Sequence, residues 1–249
     1  MPTLVIANKC YSSWSLRPWL LLKQLSIAFG EVLIPLDQPD TKAEILNYSP
    51  AGKVPILIEG DVTVWESIAI MDHVGETYED AEVWPRDPHA RAVARSVAAE
   101  MHAGFGALRS ACPMNLGKRF AQRDRGEAVV RDVARVTEIW RDARGRFGAG
   151  GPFLFGDFSA ADAMYAPVVT RFDTYSIPVD PVSRAYMDTI LALPAFREWC
   201  EAALREPWTI PHDEVDEDPI EVFRAASGKA GLTAEQPQGK RINPGLSLR

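Results

Sequence analysis

The sequence has few long apolar stretches and few cysteines. No uninterrupted apolar run is long enough to cross a bilayer, so we predict no membrane contact. The first residues, Met-Pro-Thr-Leu-Val-Ile-Ala, lack a basic flank and a cleavage signature and are interpreted as a strand, not a signal peptide. Three cysteines (Cys10, Cys112, Cys200) are widely spaced and odd in number, which argues against a disulfide framework. We therefore expect a protein of the reducing cytoplasm.

An excess of basic residues and metal-ligand spacing are also missing. The 249 residues carry a net charge of −7, which discourages non-specific nucleic-acid binding. Gly148 to Gly151 lacks the lysine and the following helix of a phosphate loop. The histidines show no metal-ligand spacing and no cysteine joins them, so we predict no metal. They are His73, His89, His102 and His212.

The clearest pattern present is residues 47–57 (NYSPAGKVPIL), followed ten residues later by Trp-Glu-Ser. Pro55 stands at the mouth of an apolar run, where a proline belongs at the first residue or edge of a strand. The Val54-Pro55 bond is a candidate for a cis bond. The turn before it leaves the backbone of Val54 able to bind a peptide as an added strand. An ordinary surface strand after a turn is the alternative interpretation.

Glu66 and Ser67 open a helical pattern beside this segment. Free N–H groups and the dipole at a helix N-terminus favour a carboxylate. Together, the exposed backbone at Val54 and the helix N-terminus at Glu66 predict a site for a small peptide that carries its own carboxylate.

Periodicity predicts an ordered first half of the chain. Strands are expected at residues 3–7, 31–36, 54–58 and 62–65, and helices at residues 15–27, 41–48 and 67–78. Glu59-Gly60-Asp61 is a hairpin signal between the last two strands. We place Pro18 in the first turn of the first helix. The predicted order is β-α-β-α-β-β-α.

The second half of the chain is predicted to be helical. We expect a first domain at residues 1–79, a linker at 80–88, an all-helical domain at 89–223 and a flexible tail at 224–249. Ser159 and Asp162 form the spacing of a capping box that opens a helix from Ala160 to about Tyr175. The acidic run at 213–218 is interpreted as a solvated loop.

These motifs resemble the glutathione-binding half of the glutathione transferases. The resemblance covers roughly residues 3–207 and implies a thioredoxin-like N-terminal domain, with a mixed four-stranded sheet and helices, joined to a C-terminal helical bundle. It implies glutathione as co-substrate. In that family the residue before the cis proline pairs with the cysteinyl backbone of glutathione and the Glu-Ser pair holds its γ-glutamyl end. The glutathione-binding residues implied here are Lys53, Val54, Pro55, Glu66 and Ser67.

The loop after the first strand carries the candidate chemistry. Residues 12–17 (SSWSLR) resemble the S-S-C-S-x-R motif of zeta-class transferases, whose best-known activity is isomerisation of maleylacetoacetate. The resemblance assigns Ser12 as the activating hydroxyl, Ser13 as a neighbour of the thiol, and Arg17 as a source of positive potential. Trp14 replaces the cysteine of the motif, and Pro18-Trp19 stands where the motif has its second arginine.

Three alternatives remain open from the sequence. Ser12, Ser13 and Ser15 could be loop and cap residues only, and Ser15 fits an N-cap. Cys10-Tyr11-Ser12-Ser13 also reads as C-x-x-S, typical of monothiol oxidoreductases, in which Cys10 would need a depressed pKa. The fold could also serve as a non-catalytic glutathione-binding interaction module.

The resemblance implies a glutathione transferase that adds the glutathione thiolate to a small electrophile, and its zeta-class motif implies a glutathione-dependent cis-trans isomerase variant of this activity. A C2 homodimer follows by analogy with the family. Residues expected to line the electrophile pocket come from the second domain. They are His102, Phe105, Arg109, Arg171 and Tyr175.

Overall fold

The computed structural model describes residues 1–224 and builds the first half of the chain around a four-stranded sheet. Its strands are Thr3–Ile6 (β1), Gly30–Leu33 (β2), Ile56–Glu59 (β3) and Val62–Trp65 (β4). Its helices are Ser13–Gln24 (α1), Thr41–Leu46 (α2) and Ser67–Thr77 (α3). The strand order is β2-β1-β3-β4, with β1 parallel to β2 and β3 antiparallel to both of its neighbours. The predicted mixed sheet and element order are confirmed.

Strand pairing brings three chain segments to one edge of the sheet. β1 ends at Ile6 and continues into the loop that carries the serines. β3 runs antiparallel to β1, so it begins at this same edge, directly after the Val54-Pro55 bond, which is cis. β4 runs antiparallel to β3 and ends here too, leading into Glu66. The topology therefore gathers the segments in which the sequence predicted the site.

Helix α1 begins two residues earlier than predicted. Ser12, not Ser15, occupies the N-cap and its hydroxyl oxygen accepts from the Ser15 N–H (3.4 Å). Ser15 instead accepts from the Ala7 N–H (3.0 Å), which ties α1 to the end of β1. Pro18 consequently lies inside the helix and not in its first turn. Helix α1 starts earlier because the turn before it places Ser12 at the N-cap position.

The second half of the chain is mainly helical. Its helices are Pro88–Ala103 (α4), Gly106–Ala111 (α5), Glu127–Phe147 (α6), Ala160–Thr174 (α7), Pro181–Ala192 (α8) and Pro194–Arg205 (α9). The helical pattern predicted for the whole of this half is interrupted at Gly104 and Phe105, between α4 and α5. A Cβ at Gly104 would lie 2.7 Å from the carbonyl oxygen of Glu100, and Phe105 has a left-handed backbone (φ +57°). The chain therefore forms two separate helices here.

Helix α7 forms the centre of the second half and packs against α1 and α4. Of its 15 residues, 14 are buried, which explains why its amphipathic pattern is weak. The predicted capping box is confirmed: the Ser159 N–H donates to the Asp162 carboxylate (2.9 Å). The same carboxylate accepts from the Leu154 N–H (3.0 Å) and so fixes the connector that precedes the helix.

The prediction of an all-helical second half is wrong in one respect. Lys118–Phe120 (β5) and Pro219–Val222 (β6) pair as an antiparallel two-stranded sheet. The acidic run is not a solvated loop either, because Glu214 accepts hydrogen bonds from Tyr11 and Asn115. These partners lie about a hundred residues or more away, so no local pattern could reveal them.

Apart from Arg224, the predicted tail lies outside the described residues. Among residues 1–224, no helix is long and apolar enough to cross a membrane. The stretch 78–87 between α3 and α4 contains neither helix nor strand, where the sequence predicted a linker.

Candidate active site

The turn that leads into α1 positions Ser12. The Asn8 carbonyl accepts from the N–H groups of Tyr11 (3.2 Å) and Ser12 (2.8 Å), which closes the turn. The Ser12 hydroxyl is nearly buried and donates to the Ser15 hydroxyl (2.8 Å). A hydroxyl at a helix N-terminus lies where backbone N–H groups and the helix dipole favour an anion. Rotation of the O–H bond would let it donate to such an anion.

Ser13 is held by the second half of the chain. Its hydroxyl oxygen accepts from Nη2 of Arg171 (3.2 Å). Arg171 is buried and also donates to the carbonyls of Cys112 (2.9 Å) and Pro167 (3.0 Å). Burial lowers the pKa of Arg171 to about 10. Two predicted site residues from different halves of the chain are therefore in direct contact.

Arg17 is a fully buried cation without a hydrogen-bond partner among residues 1–224, since Nε, Nη1 and Nη2 are all unsatisfied. Its guanidinium stacks on the ring of Trp14 at 3.9 Å from the centroid, and Arg109 approaches the same ring at 5.5 Å. Burial, reinforced by the charges of Arg171 and Arg109, holds the pKa of Arg17 well below its usual value. We call Arg17, Arg109 and Arg171 the arginine cluster. None of the three forms an ion pair within the described part of the chain.

His102 connects this cluster with Glu66. Its Nε2 lies 3.4 Å from Oε2 of Glu66, and its ring meets Trp14 edge-on at 5.2 Å between centroids. Burial and the neighbouring charges of Arg17 and Arg109 lower the pKa of His102, against the opposing effect of Glu66. The imidazole is therefore neutral at pH 7.

Of the other residues implied for glutathione binding, Ser67 is buried and its hydroxyl points at the sulfur of Met164 on α7 (3.8 Å). Glu66 is the N-cap of α3, has a positive φ (+67°) and keeps a half-exposed carboxylate. Pro55 is buried, whereas Lys53 is exposed. These side chains lie along the edge of the sheet that also carries Ser12.

Phe105 and Tyr175 are joined to the arginine cluster through the backbone: the Phe105 carbonyl accepts from the Arg109 N–H (3.0 Å), and the Tyr175 N–H donates to the Arg171 carbonyl (3.0 Å). The Tyr175 hydroxyl donates to the Pro113 carbonyl (2.9 Å), and its ring stacks on Phe120 at 5.3 Å. Burial is the main reason why the pKa of Tyr175 is raised. Phe105 is buried at the start of α5. The contacts of Tyr175 are those of a packed core side chain.

Cys10 does not fit the alternative of a thiol oxidoreductase. It is fully buried, packs with Tyr11, Ala203 and Ile210, and has its sulfur 3.9 Å from Oδ1 of Asn115. Burial raises the pKa of its thiol. Thiol exchange requires an accessible cysteine with a lowered pKa, and Cys10 has neither property.

Two features of the site were missed by the sequence reasoning. Trp14 entered only as a departure from the serine motif, although it contacts Arg17, Arg109 and His102. Its position three residues before Arg17 on one helix was the available signal. The second missed residue is Glu206, whose carboxylate accepts from the Lys9 N–H (2.7 Å) across 197 residues of sequence. No local signal could indicate it.

Comparisons with known proteins match both halves of the chain. A family model described as "Glutathione S-transferase, N-terminal domain" matches residues 11–77, and one described as "Glutathione S-transferase, C-terminal domain" matches residues 91–202. Glutathione S-transferase Z1 of Arabidopsis thaliana is 27% identical over 203 residues, covering 76% of this chain and 89% of that protein. Maleylacetoacetate isomerase of Rattus norvegicus is 23% identical over 203 residues, covering 79% and 90%.

A solved structure of a glutathione transferase homolog from Burkholderia, with bound glutathione, superimposes with a TM-score of 0.61. The identity is 22%, and the match covers 81% of this chain and 97% of that one. This likeness concerns the fold. It agrees with the sheet and helices described above.

Proposed function

Because the chain belongs to the glutathione S-transferase family, we propose that Ser12 activates the thiol of glutathione for addition to a small electrophile that carries an anionic group. The observation that supports this proposal best is the position of Ser12 at the N-terminus of α1, five residues before Arg17, which is buried and has no hydrogen-bond partner among residues 1–224. The helix N-terminus with Ser12 favours a thiolate, and the Arg17 guanidinium favours an anionic group on the electrophile.

The proposed role of Ser12 follows from the chemistry of thiols. A glutathione thiol with the usual cysteine pKa of about 8.5 is mostly protonated at neutral pH. A hydroxyl that donates to the sulfur favours the thiolate, and the N-terminus of α1 adds to the effect. Serine performs this task without competing as a nucleophile. The thiolate then forms a carbon–sulfur bond with the electrophile.

The proposed anionic group on the electrophile is supported by the arginine cluster. Burying a guanidinium without a counter-charge costs several kcal/mol. A carboxylate on the substrate would offset that cost and accept charge-assisted hydrogen bonds from Arg17. In the absence of substrate, the Arg17 guanidinium is stabilised by stacking on the ring of Trp14.

Glutathione itself is proposed to lie along the sheet edge. The backbone of Val54 would pair with the cysteinyl unit, and Glu66 with Ser67 would hold the γ-glutamyl end. Lys53 and Pro55 complete this set. The shared edge of β1, β3 and β4 supports the assignment, because it places these residues beside the serine turn.

An isomerase variant of the same chemistry is included in the proposal. Addition of the thiolate to a double-bonded carbon, rotation about the resulting single bond and elimination of the thiolate would convert a cis isomer into a trans isomer. The elimination step releases the same glutathione thiolate that was added, so the net reaction consumes no glutathione and involves no oxidation or reduction. The likeness to proteins named as maleylacetoacetate isomerases supports it.

A cytoplasmic C2 homodimer is proposed by analogy with the family. Light scattering coupled to size exclusion would give about twice the 27.5 kDa chain mass if the analogy holds. A monomer at micromolar concentration would contradict it.

The experiment that tests the function is an ultraviolet titration of bound glutathione in the wild type, Ser12→Ala and Cys10→Ser. We expect the wild type to lower the thiol pKa well below about 8.5 and Ser12→Ala to restore it. Cys10→Ser should keep the lowered pKa, because the fully buried Cys10 thiol has no proposed contact with glutathione.

Two results would overturn the proposal. Bound glutathione with an unshifted thiol pKa in the wild type would point to a non-catalytic binding module. An unchanged Ser12→Ala together with loss of thiol–disulfide exchange in Cys10→Ser would point to a thiol oxidoreductase.

A further inference from the structure

The turn from Asn8 to Ser12 uses its backbone groups in two distinct ways. The N–H groups of Tyr11 and Ser12 donate inward to the Asn8 carbonyl. The two preceding N–H groups, those of Lys9 and Cys10, point out of the turn. Successive N–H groups of this kind form a concave site that suits a carboxylate oxygen pair.

The carboxylate that fills this position belongs to Glu206, the C-cap residue that directly follows α9. Oε1 of Glu206 accepts from the Lys9 N–H (2.7 Å), and Oε2 accepts from the Cys10 N–H (3.3 Å). The side chain of Trp199, on the same helix, donates from Nε1 to the Lys9 carbonyl (2.9 Å). Helix α9 and the residue after it therefore bind two N–H groups and one carbonyl group of the turn.

Glu206 is buried and forms no ion pair within residues 1–224. The charges of Lys9 and Arg224 act on it, but Lys9 is itself paired with Glu31. A buried carboxylate is costly unless hydrogen bonds compensate it. Here the compensation comes mainly from the two backbone N–H groups of the turn. The interaction thus couples the charge of Glu206 to the conformation of the segment that ends at Ser12.

We propose that Glu206 is a positioning residue for Ser12, which fixes the turn from Asn8 so that the serine hydroxyl reaches the glutathione sulfur. The inference rests on the proposed function of Ser12. It assigns a part of the site to the residue that follows α9, in the second half of the chain. A merely structural Glu206 would contribute to stability and leave the thiol pKa of bound glutathione unchanged.

The test compares Glu206→Gln with Glu206→Asp. Glutamine keeps the size but presents an NH₂ donor to one of the two N–H groups, so one bond is lost and the turn shifts. Aspartate keeps both acceptors on a shorter side chain and should restore part of the function. Glu201→Gln is the matched control, because it makes the same change at an exposed position of the same helix.

The readouts are the thiol pKa of bound glutathione, kcat and KM with an uncharged chlorodinitrobenzene electrophile, and hydrogen exchange at the Lys9 and Cys10 amides. For folded Glu206→Gln we expect a raised thiol pKa, a kcat lowered between about 10- and 100-fold, and a KM for glutathione that changes much less. Exchange at the two amides should accelerate. Glu201→Gln should match the wild type in all three.

The outcomes separate this inference from the proposed function. If Ser12→Ala raises the thiol pKa while folded Glu206→Gln leaves it unchanged, the positioning role is overturned and the proposed function stands. A wild type that leaves the thiol pKa at its free value overturns both. If Glu206→Gln fails to fold, Glu206→Asp decides: an unchanged thiol pKa and kcat with faster exchange at the two amides would refute the role.

Discussion

The guanidinium of Arg17 shows how a single residue can be placed for ligand binding at the expense of stability. It is fully buried beside two other arginines, and none of its nitrogens has a partner within residues 1–224. Folding alone would favour an apolar side chain of similar volume at this position. The stacking on Trp14 recovers only a part of the cost. A ligand anion is the partner that would recover the rest.

Replacing Arg17 by methionine should therefore stabilise the ligand-free protein. We expect Arg17→Met to raise the free energy of unfolding by about 1–4 kcal/mol, because it removes an uncompensated buried charge. The same variant should lose its preference for a carboxylated electrophile over the methyl ester of that compound. Urea denaturation and paired kcat/KM measurements check the two effects.

Arg171→Met is the matched control for that prediction. Arg171 is equally buried but donates to Cys112, Pro167 and Ser13, so its removal leaves acceptors unsatisfied and should destabilise the protein. Similar destabilisation by both substitutions would show that Arg17 is compensated after all.

His102 should contribute to the pH dependence of stability. Its pKa is lowered in the folded protein by burial and then by Arg17 and Arg109, against Glu66, so the unfolded chain binds the proton more readily. The folded protein is therefore less stable relative to the unfolded chain as the pH falls below 6.5, the ordinary pKa of histidine. Chemical denaturation over that range should show a smaller loss for His102→Gln than for the wild type. His89→Gln, an exposed position on the same helix, should follow the wild type; equal slopes for all three would contradict the assignment.

At the scale of secondary-structure elements, the capping box of α7 can be tested directly. Ser159→Ala should lower the free energy of unfolding by about 1 kcal/mol, because it removes the serine side chain of the cap. Ser96 offers a control, since its exposed hydroxyl bonds, among residues 1–224, only to the Ala92 carbonyl of its own helix. Ser96→Ala should stay within about 0.5 kcal/mol of the wild type. Equal effects of the two substitutions in urea denaturation would refute the contribution of the cap.

Elements with local signals could be predicted from the sequence, and those with distant partners could not. The hairpin at Gly60 and the capping box of Ser159 depend on residues within a few positions of each other, and both are present. The strand Pro219–Val222 has no such signal, because its partner is β5, about a hundred residues earlier. The start of α1 at Ser13 was misjudged because Ser12 and Ser15 both satisfy the local pattern of a cap.

The same distinction applies to the candidate site. Ser12, Ser13 and Arg17 are neighbours in sequence, so the motif could indicate them together. The contact between Ser13 and Arg171 spans 158 residues and depends on how α7 packs against α1. The side-chain pattern of either helix alone contains no information about that packing. Tyr175 was predicted from helical spacing only, and its hydroxyl is bound to Pro113.

The molecule as a whole is connected by one hydrophobic cluster that includes residues of both halves. It extends from Leu4 and Leu16 to Met164 and Trp199. Hydrogen bonds also connect the two halves: Arg171 donates to Ser13, and Glu206 accepts from the turn before Ser12. The two halves are therefore expected to unfold together, even though the sequence divides into two regions of different composition.

This expectation can be measured with glutathione as a probe. Glutathione is proposed to bind mainly to the first half, so at about 100 times its Kd it should add about 2.7 kcal/mol to the free energy of unfolding. If unfolding is two-state, tryptophan fluorescence and far-ultraviolet circular dichroism should report one coincident transition and the same shift in midpoint. The second signal comes mostly from the helices of the second half. Two separate transitions, of which only one moves with glutathione, would show that the shared core does not couple the halves.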